Sequence, residues 1–172
     1  VTAMGLSGTI GLFVVMSGQP AHTVVFFRCL IGGIALLAWL GWRGGWQRLG
    51  GRAISWLLLG AVALILNWLC LFTAYRLSSI SIATVVYHVQ PFFLVILAAL
   101  VQKELPTWNK VAWLALAFLG VAITSGVDFG NGQSAMVGGV LLALAAAFLY
   151  AVATLATRKL AGVPPAQIAG LQ

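Results

Sequence analysis

The chain contains four long runs without a charged residue. They cover residues 53–75, 77–102, 111–127 and 129–157. A helix needs about 20 apolar residues to cross the hydrocarbon core of a bilayer. Lipid offers no partner to backbone N–H and C=O groups, so a spanning segment must be a helix or part of a closed barrel. The apolar residues are continuous rather than alternating, and we therefore expect transmembrane helices.

The composition excludes a water-soluble protein. Hydrophobic residues make up 62% of the 172 residues and charged residues 6%, and the mean hydropathy is +1.09. A soluble domain carries roughly 25% charged residues, so this chain could not cover a water-facing surface. The formal net charge of +7 comes from basic residues that separate the apolar runs. They form no single patch, so the expected partner is the lipid bilayer and not a nucleic acid.

Two further apolar segments add to these four runs: a fifth run, which Arg28 interrupts, and a short segment at the start of the chain. The sequence therefore predicts an all-α, polytopic bundle of six transmembrane helices. The expected spans cover about residues 2–17, 21–42, 53–75, 79–101, 108–127 and 135–157. The connections are short, as at residues 18–20, 78–79 and 130–132. They contain Gly, Ser, Asn and Pro, the residues typical of turns.

The basic residues predict the orientation of this bundle. Seven of them fall in loops on one side if six helices alternate: Arg43, Arg48, Arg52, Lys103, Lys110, Arg158 and Lys159. Arg76 alone falls on the other side. Cytoplasmic loops carry the excess of Lys and Arg. We therefore expect a multi-pass protein of the cytoplasmic, or inner, membrane with its N-terminus in the cytoplasm.

Several short motifs resemble those of the EamA-type drug/metabolite transporters, and they occur in the same order. They lie at residues 26–28 (FFR), 73–83 (TAYRLSSISIA), 90–93 (QPFF), 103–106 (KELP), 120–122 (GVA) and 139–160. Each motif is short and apolar. Their collinear arrangement over nearly the whole chain carries the resemblance.

The resemblance implies ten helices in two five-helix inverted repeats, with the substrate near the membrane midplane between the repeats. Residues 1–127 would then be the first repeat. Residues 128–172 would begin the second repeat with its first helix and the start of the next. After Pro164 and Pro165 a further apolar segment opens and stops, so we expect a seventh helix cut at its beginning.

Polar side chains inside the spans are candidates for the transport pathway, because they are costly in the membrane. Arg28 lies about two turns into its span. It either binds an anion or counter-ion inside the bundle, or extends its guanidinium to the membrane interface. Asn67, near the centre of its span, either contacts substrate or links helices. Tyr75, close to the end of the same span, is expected to be an interface anchor.

The span at residues 79–101 is the most informative. Thr84, Tyr87, His88 and Pro91 share one face because they are spaced by three and four residues, and Gln90 lies beside them. Pro91 removes an N–H and frees the carbonyl of Tyr87. These residues either line a pathway at the helix kink or join neighbouring helices by hydrogen bonds. His88 could titrate near neutral pH, as a proton-coupled exchanger requires.

The sequence therefore favours a permease that moves a small organic metabolite or drug by alternating access. The alternative is a non-transporting membrane subunit or assembly partner. An enzyme is not expected, since the two acidic residues, Glu104 and Asp128, are predicted on opposite sides of the membrane. Cys29 and Cys70 form no metal-binding motif, so we expect no cofactor, no metal and no catalytic residue. The expected partners are a small-molecule substrate, the bilayer and, as an option, a second copy of the chain.

Overall fold

The computed structural model describes residues 16–102 and 134–172, together with residues 108–109, 111–113, 115–116 and 119. Six helices have defined bounds within this part of the chain: α1 (Ala21–Arg43), α2 (Gly51–Leu77), α3 (Ile80–Tyr87), α4 (Gln90–Gln102), α5 (Ser134–Arg158) and α6 (Pro165–Leu171). No described residue lies in a strand. The predicted all-α helix bundle is confirmed.

Four segments are long and apolar enough to cross a membrane. They are Ala21–Arg43, Gly51–Leu77, Ile80–Val101 and Met136–Arg158. Each begins and ends within about two residues of the predicted spans at 21–42, 53–75, 79–101 and 135–157. Residues 2–15 of the first predicted span are outside the described residues. So is most of the span predicted at 108–127, whose described residues, 108–119 with gaps, are helical.

Large apolar side chains cover the outside of this bundle. On α1, Phe26, Ile31 and Ile34 are each more than half exposed, and Trp42 is 88% exposed. A contiguous apolar surface of this kind would cause association in water. In a bilayer it faces hydrocarbon, which explains why α1 buries only Val25 and Leu40 within the protein.

Turn residues define the helix ends. Gly44 ends α1 in the left-handed conformation, at φ +67°, and its N–H donates to the carbonyl of Gly41. A left-handed residue at this position is the usual termination of a helix, and glycine adopts it without strain. Ser79 begins α3, because its hydroxyl accepts a hydrogen bond of 3.1 Å from the N–H of Ile82. This is the standard role of serine at a helix N-terminus.

The closest helix packing joins α2 to α5. Gly60, near the start of α2, lies beside Ala156, near the end of α5. Ala74 meets Ala143 in a buried cluster, and Ser78 lies against Gly139. The two helices are therefore antiparallel. Small residues let their backbones approach closely, which is how helices associate in membranes without a hydrophobic driving force.

The remaining contacts show which loops lie at each end of the helix bundle. Leu49 and Trp56 pack with Leu160 and Ile168, so the loop before α2 and the turn after α5 lie at one end of the bundle. At the other end, Arg76 donates to the carbonyls of Gly18 and Gln19, the former over 3.0 Å. This arrangement places Arg76 opposite the basic loops, as the alternation of the spans requires.

Replacement of Gly139 by alanine should destabilise the bundle. An added Cβ would meet Ser78 at 2.7 Å from its Cβ and 3.0 Å from its backbone N, and the Ser78 hydroxyl is held by a 2.8 Å bond to the carbonyl of Ala74. Overpacking of this kind costs about 1–3 kcal/mol. Thermal unfolding in detergent would measure it.

The matched control is Gly138→Ala. Its Cβ would meet only Leu77, at 3.9 Å, and alanine is about 0.5–1 kcal/mol better than glycine within a helix. We expect unchanged or raised stability. Equal effects of the two substitutions would contradict the close α2–α5 packing.

Candidate functional site

The span at Ile80–Val101 is broken near its middle. α3 ends at Tyr87, α4 begins at Gln90, and His88 and Val89 form a turn between them. Pro91 has no N–H to donate to the carbonyl of Tyr87, four residues earlier. The chain adapts with a tighter turn, in which the N–H of Phe92 donates to the carbonyl of Val89 over 2.9 Å. At 1.5 Å per residue, the break lies about 14 Å from the start of the span.

Asn67 is the most unusual polar side chain next to this break. It is fully buried in α2, at 0% exposure, yet neither its Oδ1 nor its Nδ2 has a hydrogen-bond partner among the described residues. The Tyr87 hydroxyl lies beside the amide as its potential hydrogen-bond partner, but the contact does not meet the distance and angle of a hydrogen bond. A buried polar atom left without a partner costs about 1–3 kcal/mol.

All three tyrosines of the chain lie near one another, and Tyr87 is the one next to this amide. The rings of Tyr87 and Tyr150 meet edge to face, with centroids 6.0 Å apart. Tyr75 of α2 packs against α3 beside Ala83 and Val86, which brings it near Thr84 and Tyr87. We call Asn67, Tyr75, Thr84, Tyr87 and Tyr150 the tyrosine cluster. It joins α2, α3 and α5.

A second buried amide atom follows the break, on α4. The Oε1 atom of Gln90 is buried without a hydrogen-bond partner among the described residues. Further along, Phe93 of α4 meets Phe148 of α5 edge to face at 5.7 Å. The interface of α3 and α4 with α5 therefore contains two edge-to-face pairs of aromatic rings.

The other predicted site residues are placed differently. His88 is exposed, and its Nδ1–H donates to the carbonyl of Thr84 over 2.6 Å, since a carbonyl can only accept. Pro91 is half-buried at the break. Arg28 lies over the ring of Trp68, 4.0 Å from its centroid. This cation–π contact joins α1 to α2, whereas Asn67 of α2 is directed toward α3.

The structure also gives roles to two tyrosines that the sequence analysis did not place in the site. Tyr75 is half-buried in the cluster, although its position near a span end predicted an interface anchor. Tyr150 was not singled out. Its signal was a lone phenol within the alanine-rich stretch from Ala143 to Ala153, where a hydroxyl needs a partner.

The tyrosine cluster and Gln90 offer neutral hydrogen-bonding groups and aromatic faces. Phenol and amide groups can donate and accept hydrogen bonds, and the rings can pack against an organic ligand. The described residues contain no group of three or more His, Cys, Asp or Glu side chains placed to hold a metal ion. The arrangement is suited to binding an organic solute.

The fold and the site define a class of protein. It is a multi-pass helical membrane protein with a broken span and polar groups at mid-membrane depth. The family model of the EamA-like transporter family matches residues 1–126. The chain therefore belongs to the EamA-like transporter family, which is a family of transporters rather than of enzymes.

Two curated relatives carry the same description. An uncharacterized transporter of Bacillus subtilis (strain 168), YxxF, is 29% identical over 169 residues, which are 96% of this chain and 54% of that protein. An uncharacterized transporter of Haemophilus influenzae is 28% identical over 155 residues, 87% of this chain and 51% of that protein. The chain thus spans about half the length of the curated relatives it matches. No solved structure shows a significant match.

Substitution of two buried amides, Asn67 and Gln167, tests whether the Asn67 side chain is unpaired. Asn67→Leu should leave stability unchanged or raise it, because it removes polar atoms that have no partner to lose. The free energy of unfolding in bicelles would measure the effect.

Gln167 provides the matched control. It is 1% exposed, but its Nε2 donates to the carbonyl of Gln47 over 2.9 Å and its Oε1 accepts from the N–H of Gln47 over 3.1 Å. Gln167→Met should therefore cost about 1–3 kcal/mol. A loss of stability in Asn67→Leu as large as in Gln167→Met would show that Asn67 is paired.

Proposed function

We propose that the protein is a permease that moves a small organic metabolite or drug across the cytoplasmic membrane by alternating access. The observation that carries this proposal is the amide of Asn67, which is fully buried beside a helix break and has no hydrogen-bond partner among the residues that the structure describes. A side chain that only linked helices would be hydrogen-bonded to a neighbour. An amide held open at this depth is instead available to a ligand or to water.

The helix break supports the same proposal. Broken helices and irregular backbone at membrane depth are tolerated where they are buried in protein or line a water-filled cavity. In many transporters such breaks form the substrate site near the midplane. Here Tyr87 is the last residue of α3 before the break at His88 and Val89, and it belongs to the tyrosine cluster. The irregular backbone and the polar side chains are therefore adjacent.

The chemistry of the cluster suggests the substrate class. Asn67, Gln90 and the three tyrosines supply neutral donors, neutral acceptors and aromatic faces. These groups suit a small organic molecule with both polar and apolar parts. His88, exposed at the break, is the group through which we propose that proton coupling would act.

The proposed domain organisation places this site between two repeats. Residues 1–127 would form the first repeat and residues 128–172 would begin the second. The packing of α5 on α2 would then be a contact between repeats, with Tyr150 contributed by the second. Transporters built from inverted repeats bind their substrates at such an interface.

Cysteine accessibility separates this proposal from a non-transporting membrane subunit. In a background with Cys29→Ser and Cys70→Ser, Thr84→Cys should react with a membrane-impermeant maleimide in both right-side-out and inside-out vesicles. Alternating access exposes the same site to each side in turn. The control is Ala146→Cys in α5, where Ala146 is fully buried, and it should react from neither side.

If Thr84→Cys resists the reagent from both sides, as Ala146→Cys does, the pathway is elsewhere and the subunit becomes the better interpretation. One-sided labelling that no added metabolite or drug ever changes would equally contradict alternating access.

The proposed orientation has its own test. Gly50 and Gln19 are exposed at opposite ends of the bundle. With the basic loops in the cytoplasm, Gln19→Cys should react in intact cells and Gly50→Cys only after permeabilisation. The reverse pattern would invert the topology.

A further inference from the structure

A basic cavity lies at the end of the bundle opposite Arg76 and away from the tyrosine cluster. Its volume is about 310 Å³, and it is lined by Arg52, Ala53 and Trp56 of α2 and by Lys159, which directly follows α5. Because α2 and α5 are antiparallel, the start of one helix meets the end of the other. The cavity therefore receives a cation from each.

Nothing in the described part of the chain neutralises these cations. The two acidic residues, Glu104 and Asp128, both fall outside the described residues. The N-terminus of α2 adds to the positive potential, because its partial charge is positive. Gly50, which precedes α2, contributes no side-chain hydrogen bond to the free N–H groups, and no acidic residue lies in the first turn.

The cavity also has an apolar side. Ala53 and Trp56 pack on a buried cluster of Leu57, Leu160 and Ile168. Leu59 and Leu66 are exposed on the adjoining face of α2 and lead from it toward the membrane core. Tryptophan is typical of the level of the lipid headgroups, and basic pockets between transmembrane helices at this level suit phosphorylated headgroups.

We propose that this cavity binds the phosphate group of an anionic phospholipid. Arg52 and Lys159 contact the phosphate, the indole of Trp56 lies at the glycerol level, and an acyl chain follows the exposed leucines of α2. A zwitterionic lipid presents the same phosphate with an added cation. The two basic side chains therefore select lipids with a net negative charge.

Native mass spectrometry of the purified protein in neutral detergent tests this site. Phosphatidylglycerol, phosphatidylcholine and inorganic phosphate are the probes. Each basic residue near a headgroup contributes about 1 kcal/mol, so Arg52→Gln with Lys159→Gln should weaken phosphatidylglycerol binding roughly thirtyfold. Phosphatidylcholine binding should change little, and Lys159→Arg should keep the affinity for phosphatidylglycerol.

The matched control is Arg43→Gln with Arg48→Gln. It removes two charges from the same end of the bundle but none from the cavity lining, so its affinity should remain within about threefold of the original. Equal weakening in the two double variants would show diffuse attraction and overturn the proposal. So would displacement of the lipid by inorganic phosphate, since the site would then bind a soluble anion.

If the double variant does not fold, Lys159→Gln alone decides the outcome. Lys159 is exposed in a turn, so its loss should weaken phosphatidylglycerol binding about fivefold. An unchanged affinity would contradict the site.

Discussion

The antiparallel contact between α2 and α5 is the packing on which the rest of the structure depends. Alanine and glycine residues on both helices let the backbones come close, and this proximity brings Tyr150 to Tyr87, which lies next to Asn67. The same contact joins the helix ends that form the basic cavity at Arg52 and Lys159. One mode of packing thus supports both the proposed transport site beside the helix break and the proposed lipid site at the end of the bundle.

The two buried amides show how differently this bundle treats polar groups. Gln167 satisfies both ends of its amide on the backbone of Gln47, and so fixes the loop before α2 to α6. Asn67 satisfies neither end among the described residues. In a low-dielectric interior an unpaired polar group is costly, and native structures contain few of them. The first amide stabilises the fold, whereas the second keeps the unused hydrogen-bonding capacity on which the proposed transport function rests.

Much of this fold could be predicted from the sequence because the limits of the spans depend on local signals. Charges at Arg43 and Arg52, and turn residues such as Gly44 and Ser79, mark where helices stop and start. The break before Pro91 follows from the missing N–H. Which helix each face contacts could not be predicted, because the spans are apolar all round and carry no periodic signal. For this reason Tyr150 was missed, Tyr75 was assigned to the interface, and the pairing of Arg28 with Trp68 was not foreseen.

The central claim is that Asn67 lies on a path that water reaches, and not in a sealed helix contact. Water-edited solid-state NMR of the protein in lipid bilayers measures this directly, through magnetisation transfer from water to side-chain amide nitrogens. The account predicts rapid transfer to Nδ2 of Asn67 and slow transfer to Nε2 of Gln167, although both residues are buried to the same degree. Transfer to Asn67 as slow as that to Gln167 would contradict it.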